Sequence, residues 1–214
     1  MPEHKLVIFV RAPRPGSVKT RLAKTLGAGP ACEAYRRLVE TLTDRLQTLN
    51  GVELRFSPDD ARNEIQPWLK SRWSCAPQGT GDLGRRLQSA FVDSFKSETA
   101  RVVIIGSDCP AVTSADIVEA WQCLSSHDVA LGPARDGGYW LIGLRRLRPD
   151  LFHRIPWSTD RVLAETMRRA REGGLSVHRL RELQDVDTEA DWRQFLETHN
   201  SHATNRRTGY PLTG

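Results

Sequence analysis

The sequence predicts a single α/β domain, an α/β/α sandwich whose helices cover both faces of a mostly parallel central sheet. Three observations carry this. Short apolar, β-type runs alternate along the chain with segments of helical period. Residues 102–105 are four consecutive β-formers closed by Gly106, the pattern of a central strand buried on both faces. The chain has 214 residues, about one to one and a half typical domains and enough for one sizeable core.

The elements follow in order. Residues 5–10 form an apolar strand that must end at Arg11-Ala-Pro-Arg-Pro-Gly16, where two prolines and a glycine stop regular structure. Lys19 and Arg21 fall at the start of a helix. From Ala31 the apolar positions Ala34, Tyr35, Leu38, Leu42, Leu46 and Leu49 recur at three- and four-residue steps, one face of a helix that Gly51 terminates. A second strand covers residues 52–56, a short helix 61–69, and Asp82 caps a helix that aligns Leu83, Leu87, Phe91 and Phe95. After the strand at 102–105 come Ser107-Asp108-Cys109-Pro110, a helix over 114–124 capped by Ser114, a strand at 129–131, and a turn at Asp136-Gly137-Gly138 leading into a strand at 139–144. A helix over 159–171, a strand at 177–180 and a helix over 189–196 complete the domain. Residues 1–199 are expected to form it, and the polar, aperiodic residues 200–214 a flexible tail.

Composition narrows the function. Hydrophobic residues make up 39% and charged residues 27%, values of a globular chain rather than a disordered one. The longest apolar stretch is far short of a membrane span, so a cytoplasmic protein without membrane attachment is expected. Cys32, Cys75, Cys109 and Cys123 show no CxxC spacing, so four reduced thiols are expected. The histidines show no HExxH and the chain has no GxSxG, which argues against a zinc hydrolase and an α/β-hydrolase. The net charge is +5. Lys5, Arg11, Arg14, Lys19, Arg21 and Lys24 face only Glu3 within the first thirty residues, a local excess suited to a phosphate rather than the spread of basic stripes that binds nucleic acid.

The motifs point the same way. Pro15-Gly16-Ser17-Val18-Lys19-Thr20-Arg21 is not a Walker loop, because Val18 stands where the backbone needs glycine to wrap phosphates. It still places Lys19 and Arg21 beside Arg11 as donors for a diphosphate. Asp108 leaves the end of a strand, where a carboxylate can face the ligand cleft of a parallel sheet and hold a hard cation, Mg²⁺ or Mn²⁺; capping of a turn is the plainer alternative. Asp185 and Asp187 offer further carboxylates, although Thr188 onward also reads as a helix start. Asp136-Gly137-Gly138-Tyr139 is either a glycine turn alone or the acceptor side of a site, with Asp136 as proton acceptor. Trp157 precedes a helix and suits packing as well as ligand contact.

Taken together, residues 6–22, Gln78-Gly-Thr-Gly-Asp-Leu-Gly84, Gly106-Ser-Asp-Cys-Pro110, Gly132-Pro-Ala-Arg-Asp-Gly-Gly-Tyr139 and Asp185-Val-Asp-Thr188 resemble the bacterial radical-SAM-associated, arsenosugar-biosynthesis-type glycosyltransferases. These belong to the nucleotide-diphospho-sugar transferase superfamily, and the chain is also similar to 2-phospho-lactate guanylyltransferases and molybdenum-cofactor nucleotidyltransferases. The resemblance spans residues 5–195 and implies a GT-A/Rossmann-like fold. It implies nucleotide-phosphate contacts from Arg11, Pro15, Gly16, Lys19, Arg21, Gly79, Asp82 and Leu83, and a Mg²⁺ or Mn²⁺ ion at Asp108 and Asp187. It further implies an acceptor side at Asp136, Gly137, Gly138, Tyr139 and Trp157, with Asp108, Lys19 and Asp136 closest to the chemistry. Arg11 stands where relatives are expected to carry Lys, a planar fork in place of a point charge. The expected activity is transfer of a sugar from a sugar nucleotide to a small acceptor. The alternatives are nucleotidyl transfer from a nucleoside triphosphate to a phosphorylated acceptor, with pyrophosphate leaving, and a non-catalytic nucleotide-binding scaffold.

Overall fold

The structure, a computed structural model, describes residues 3–96 and 99–205, with side chains described up to residue 198. A seven-stranded sheet runs through it in the order β3-β2-β1-β4-β6-β5-β7. Its strands are β1 (His4–Arg11), β2 (Val52–Ser57), β3 (Ser74–Pro77), β4 (Arg101–Ile105), β5 (Val129–Pro133), β6 (Tyr139–Leu144) and β7 (Val177–Arg179). The helices are α1 (Thr20–Leu26), α2 (Ala28–Leu46), α3 (Arg62–Ile65), α4 (Leu83–Phe95), α5 (Ser114–Cys123), α6 (Val162–Glu172) and α7 (Glu189–Asn205). Pairing is parallel except at β6, which runs antiparallel to both β4 and β5 because a short turn returns the chain beside β5.

The pleat divides the core in two. Leu6, Ile8 and Val10 of β1 and Val103 and Ile105 of β4 face a cluster closed by Val39 and Leu42 of α2 and Ile117 and Trp121 of α5. Val7, Phe9, Val102 and Ile104 point to the other face, against Leu87 and Phe91 of α4 and Ala170 of α6. Period-2 alternation in strands buried on both sides thus produces the three layers. α7 lies across α2, with Phe195 against Leu38 and Val186.

Five details depart from the sequence expectation. β3 was not foreseen: Ser-Cys-Ala-Pro has no apolar run, and it forms because its backbone pairs with β2 at the sheet edge. The helix expected over 61–69 divides into α3 and a 3₁₀ turn, Gln66–Trp68, at Pro67. α5 is capped by Thr113 rather than Ser114, in a reciprocal box with Asp116. The helix expected from residue 159 starts at Val162, since residues 157–161 form a turn in which the Thr159 hydroxyl accepts from the Arg161 amide. Finally, α7 continues beyond residue 196 to Asn205, and residues 206–214 of the expected tail lie outside the described residues.

Candidate functional site

From β1 the chain turns toward β2 and β3 on one side and later returns to β4 on the other, so the loops after β1 and β4 diverge and open a crevice at the carboxyl ends of the strands. That crevice is a cavity of about 560 Å³. Arg11, Lys19, Arg21 and Arg86 supply cations to its walls, Asp82, Asp108 and Asp187 carboxylates, and Phe9, Leu83 and Tyr139 apolar surface.

The first loop is held in place by neighbours. Arg14 leaves the phosphate-facing set, because its guanidinium grips Glu64 through two nitrogens and also reaches Asp60. The Cys32 thiol and the Arg36 guanidinium donate to the Pro13 carbonyl. Tyr35 of α2, absent from the sequence-derived site, joins the two loops: its hydroxyl accepts from the Arg11 amide at 2.8 Å and pairs with the Ser107 hydroxyl at 3.0 Å. Burial, reinforced by the Asp108 charge, pushes the Tyr35 phenol up to about 12, so it stays a neutral bridge.

Lys19 is the centre of the site. It caps α1 from a left-handed conformation, φ 47° and ψ 47°, a strained backbone for a residue with a side chain. Its ammonium lies between two carboxylates, bonded to Asp108 and 3.0 Å from Asp187. The Lys19 side chain is 2% exposed, against 50% for Asp108 and 36% for Asp187, so the cation is sealed below while both acids keep a face toward the cavity. Burial alone would depress the Lys19 ammonium, but Asp108 and Asp187 outweigh it and hold its pKa above the ordinary lysine value. Arg21 approaches Asp187 at 3.6 Å.

Asp187 arrives here because the Val186 amide donates to the Asp108 carbonyl, tying the segment before α7 to the loop after β4. Thr188 and Asp191 form the helix cap, which leaves the Asp187 carboxylate for the cleft. Asp185 is drawn into the same group. Burial, then the charges of Asp108 and Asp136, raise its carboxyl to about 7 against the pull of Lys19. Cys109 is a protonated thiol, raised by burial and by Asp185, and so no nucleophile.

Not every residue expected at the site lines the cavity. Pro15 and Gly16 sit on the outer bend of the first loop, and the Gly79 amide donates to the Asp59 carboxylate. The Asp136 carboxylate accepts from the Gly138 amide at 2.9 Å and is exposed, while Gly137, at φ 87°, lies so close to the Asp160 backbone that no side chain fits. Trp157 packs over Gly84 rather than into the cleft. Tyr139 presents its ring to the cavity and buries its hydroxyl. Sequence reasoning missed Gln78 and Arg86 as a pair. The Gln78 amide donates to Val10 and Arg55 carbonyls, and Arg86 is fixed by the Gly81 carbonyl, so a cation of α4 faces the crevice.

The fold and the sequence have parallels among known proteins. Residues 41–159 match a bacterial family described as an uncharacterized protein conserved in bacteria, DUF2064. The chain belongs to the DUF2064 family. Within it, the family match contains Asp108 and Arg86, while Lys19 and Asp187 lie outside the matched segment. No curated protein matches this DUF2064 chain in sequence. A solved structure from Desulfovibrio desulfuricans G20, provisionally named a nucleotide-diphospho-sugar transferase, is 35% identical, with a TM-score of 0.87 over 93% of this chain and 88% of the other. Two more distant structures share the fold alone. One is a CMP:2-keto-3-deoxy-manno-octonic acid synthetase complexed with CTP, 13% identical with a TM-score of 0.60 over 93% and 99% of the two chains. The other is a Mycobacterium tuberculosis H37Rv protein in complex with manganese, 16% identical with a TM-score of 0.57 over 91% and 98%. Among the described residues no helix is long and apolar enough to cross a membrane.

Proposed function

We propose that this DUF2064 chain is a divalent-metal-dependent transferase that binds a sugar nucleotide in the crevice and passes its sugar to a small acceptor, as the resemblance to arsenosugar-type glycosyltransferases suggests. The observation that carries the reading is the sealed Lys19 ammonium between Asp108 and Asp187 at the β1/β4 opening. Asp108 and Asp187 are two hard-oxygen ligands on the cavity wall that together carry more negative charge than Lys19 alone offsets, which fits Mg²⁺ or Mn²⁺ held by the pair. When bound, the ion supplies positive charge beside the leaving diphosphate.

The chain's own groups have distinct tasks in this proposal. Lys19 holds Asp108 and Asp187 side by side at the mouth of the crevice. Arg11, Arg21 and Arg86 bind the phosphate oxygens and offset charge as it grows on the leaving group. Leu83 and Phe9 shield the nucleoside from water, and the Tyr139 ring faces the sugar. The acceptor enters from the turn before β6, where Asp136 is exposed beyond the cavity lining and takes the proton of the acceptor hydroxyl. The acceptor oxygen bonds to the anomeric carbon as its bond to phosphate oxygen breaks, and the nucleoside diphosphate departs. The support from known proteins is the provisional name of the 35% identical relative.

A second reading, nucleotidyl transfer, is favoured by one observation: four cations wall the cavity, ample for a triphosphate and a departing pyrophosphate. A thermal-shift panel separates the two. A ligand that binds only the folded state at about a hundred times its Kd stabilises it by about 2.7 kcal/mol. Metal-dependent stabilisation by a sugar nucleotide, lost in Asp108→Asn, is the expected result. Stabilisation by one nucleoside triphosphate alone transfers the assignment to nucleotidyl transfer. No response to either class overturns both.

A further inference from the structure

A second group of metal-ligating side chains lies away from the crevice. Glu119 and Cys123 are four residues apart on α5 and therefore share a face. His178 reaches them from β7, the edge strand, where it pairs with Ala130 near the start of β5. The cluster thus sits toward the amino ends of the strands, whereas Asp108 leaves the carboxyl end of β4. One carboxylate oxygen, the Cys123 sulfur and one imidazole nitrogen all lie within 4.8 Å of one another.

The spacing favours a shared ion over a simple ion pair. His178 Nε2 is 3.5 Å from Glu119 Oε1, long for a good N–H···O hydrogen bond. Two ligands of a tetrahedral Zn²⁺, with bonds of about 2.0–2.1 Å, stand about 3.4 Å apart. The His127 ring lies 5.4 Å from that of His178, centre to centre, beside the three ligands but outside their set.

We propose that Glu119, Cys123 and His178 form a binding site for a borderline-soft divalent transition ion of the zinc class, with water at the fourth position. Thiolate and imidazole select such an ion over Mg²⁺, which prefers oxygen ligands throughout. On binding, the Cys123 S–H bond breaks, its proton passes to solvent and a sulfur–metal bond forms. The ion then fastens α5, which follows the Asp108 loop, to β7, which leads into the Asp185–Asp187 segment. The sequence hides this site, because its two soft ligands stand far apart in the chain and form no recognised spacing.

Cobalt titration of the full chain, stripped with chelator, tests the proposal. The expected result is a thiolate-to-cobalt charge-transfer band that saturates at one equivalent and is displaced by Zn²⁺. It should vanish in Cys123→Ser, weaken at least tenfold in apparent affinity in His178→Gln, and persist in Asp108→Asn. An oxygen-only site at Asp108 and Asp187 gives no such band, so the two sites are read separately. Absence of the band in the wild-type chain, or its survival in Cys123→Ser, overturns the proposal. If Cys123→Ser fails to fold, His178→Gln decides, because unchanged cobalt affinity there overturns it too.

Discussion

Asp185 offers the sharpest test of the electrostatics at the crevice. Its carboxyl is raised from 3.8 to about 7, first by burial and then by Asp108 and Asp136. Between those values the folded chain holds a proton that the unfolded chain has released, so this group makes stability fall as pH rises. The contribution is fully present below the unfolded pKa and is lost through the folded one. At 1.36 kcal/mol per unit, the loss between pH 5 and pH 8 is about 2.5 kcal/mol, trimmed to about 1.5 by solvent screening of a partly exposed group. Asp185→Asn keeps the shape and removes the titration. Urea unfolding in chelator should therefore show a wild-type decline over that range which exceeds the variant's by about 1.5–2.5 kcal/mol. Equal declines in both proteins would refute the account of a crowded, partly protonated acid cluster. Adding Mg²⁺ should flatten the wild-type curve, since a cation favours the ionised carboxylate.

Lys19→Met leaves Asp108 and Asp187 facing each other without their cation. It should lower stability in chelator by about 1–2 kcal/mol, less than a fully buried pair because both acids are partly exposed, and enlarge the stabilisation by Mg²⁺; an Mg²⁺ response equal to wild type in melting experiments would count against the arrangement. Gly137→Ala forces a Cβ to 2.1 Å from the Asp160 carbonyl oxygen at φ 87°, so a loss of about 2 kcal/mol or more is expected. Gly29→Ala, with open space around it in the first turn of α2, should stabilise by about 0.4–1 kcal/mol, and melting curves of the pair check both. Phe91→Ala, fully buried between Phe95 and Phe152, should cost about 3–5 kcal/mol in urea unfolding. A cost below about 1 kcal/mol would mean that α4 does not pack on β1 and β4 as described.

What the sequence determined by itself was the periodic part of the molecule. The runs that became β1 and β4, the three- and four-residue steps of α2, the Asp82 cap and the glycine turn before β6 were legible because each is set within a few residues by burial pattern or backbone conformation. Asp108 at the end of β4 was legible for the same reason. β3 was not, because an edge strand of Ser, Cys, Ala and Pro has no pattern and exists only through pairing with β2. The site belongs mostly to this second kind. Lys19 meets Asp187 across 168 residues of chain, and nothing near either residue announces the other. Tyr35 looked like one more apolar position of α2, and only strand order brings its hydroxyl between Arg11 and Ser107. Local sequence sets which face of an element is buried. Which charges then share a low-dielectric crevice, and which of them keep their protons, depends on distances that only the folded sheet establishes.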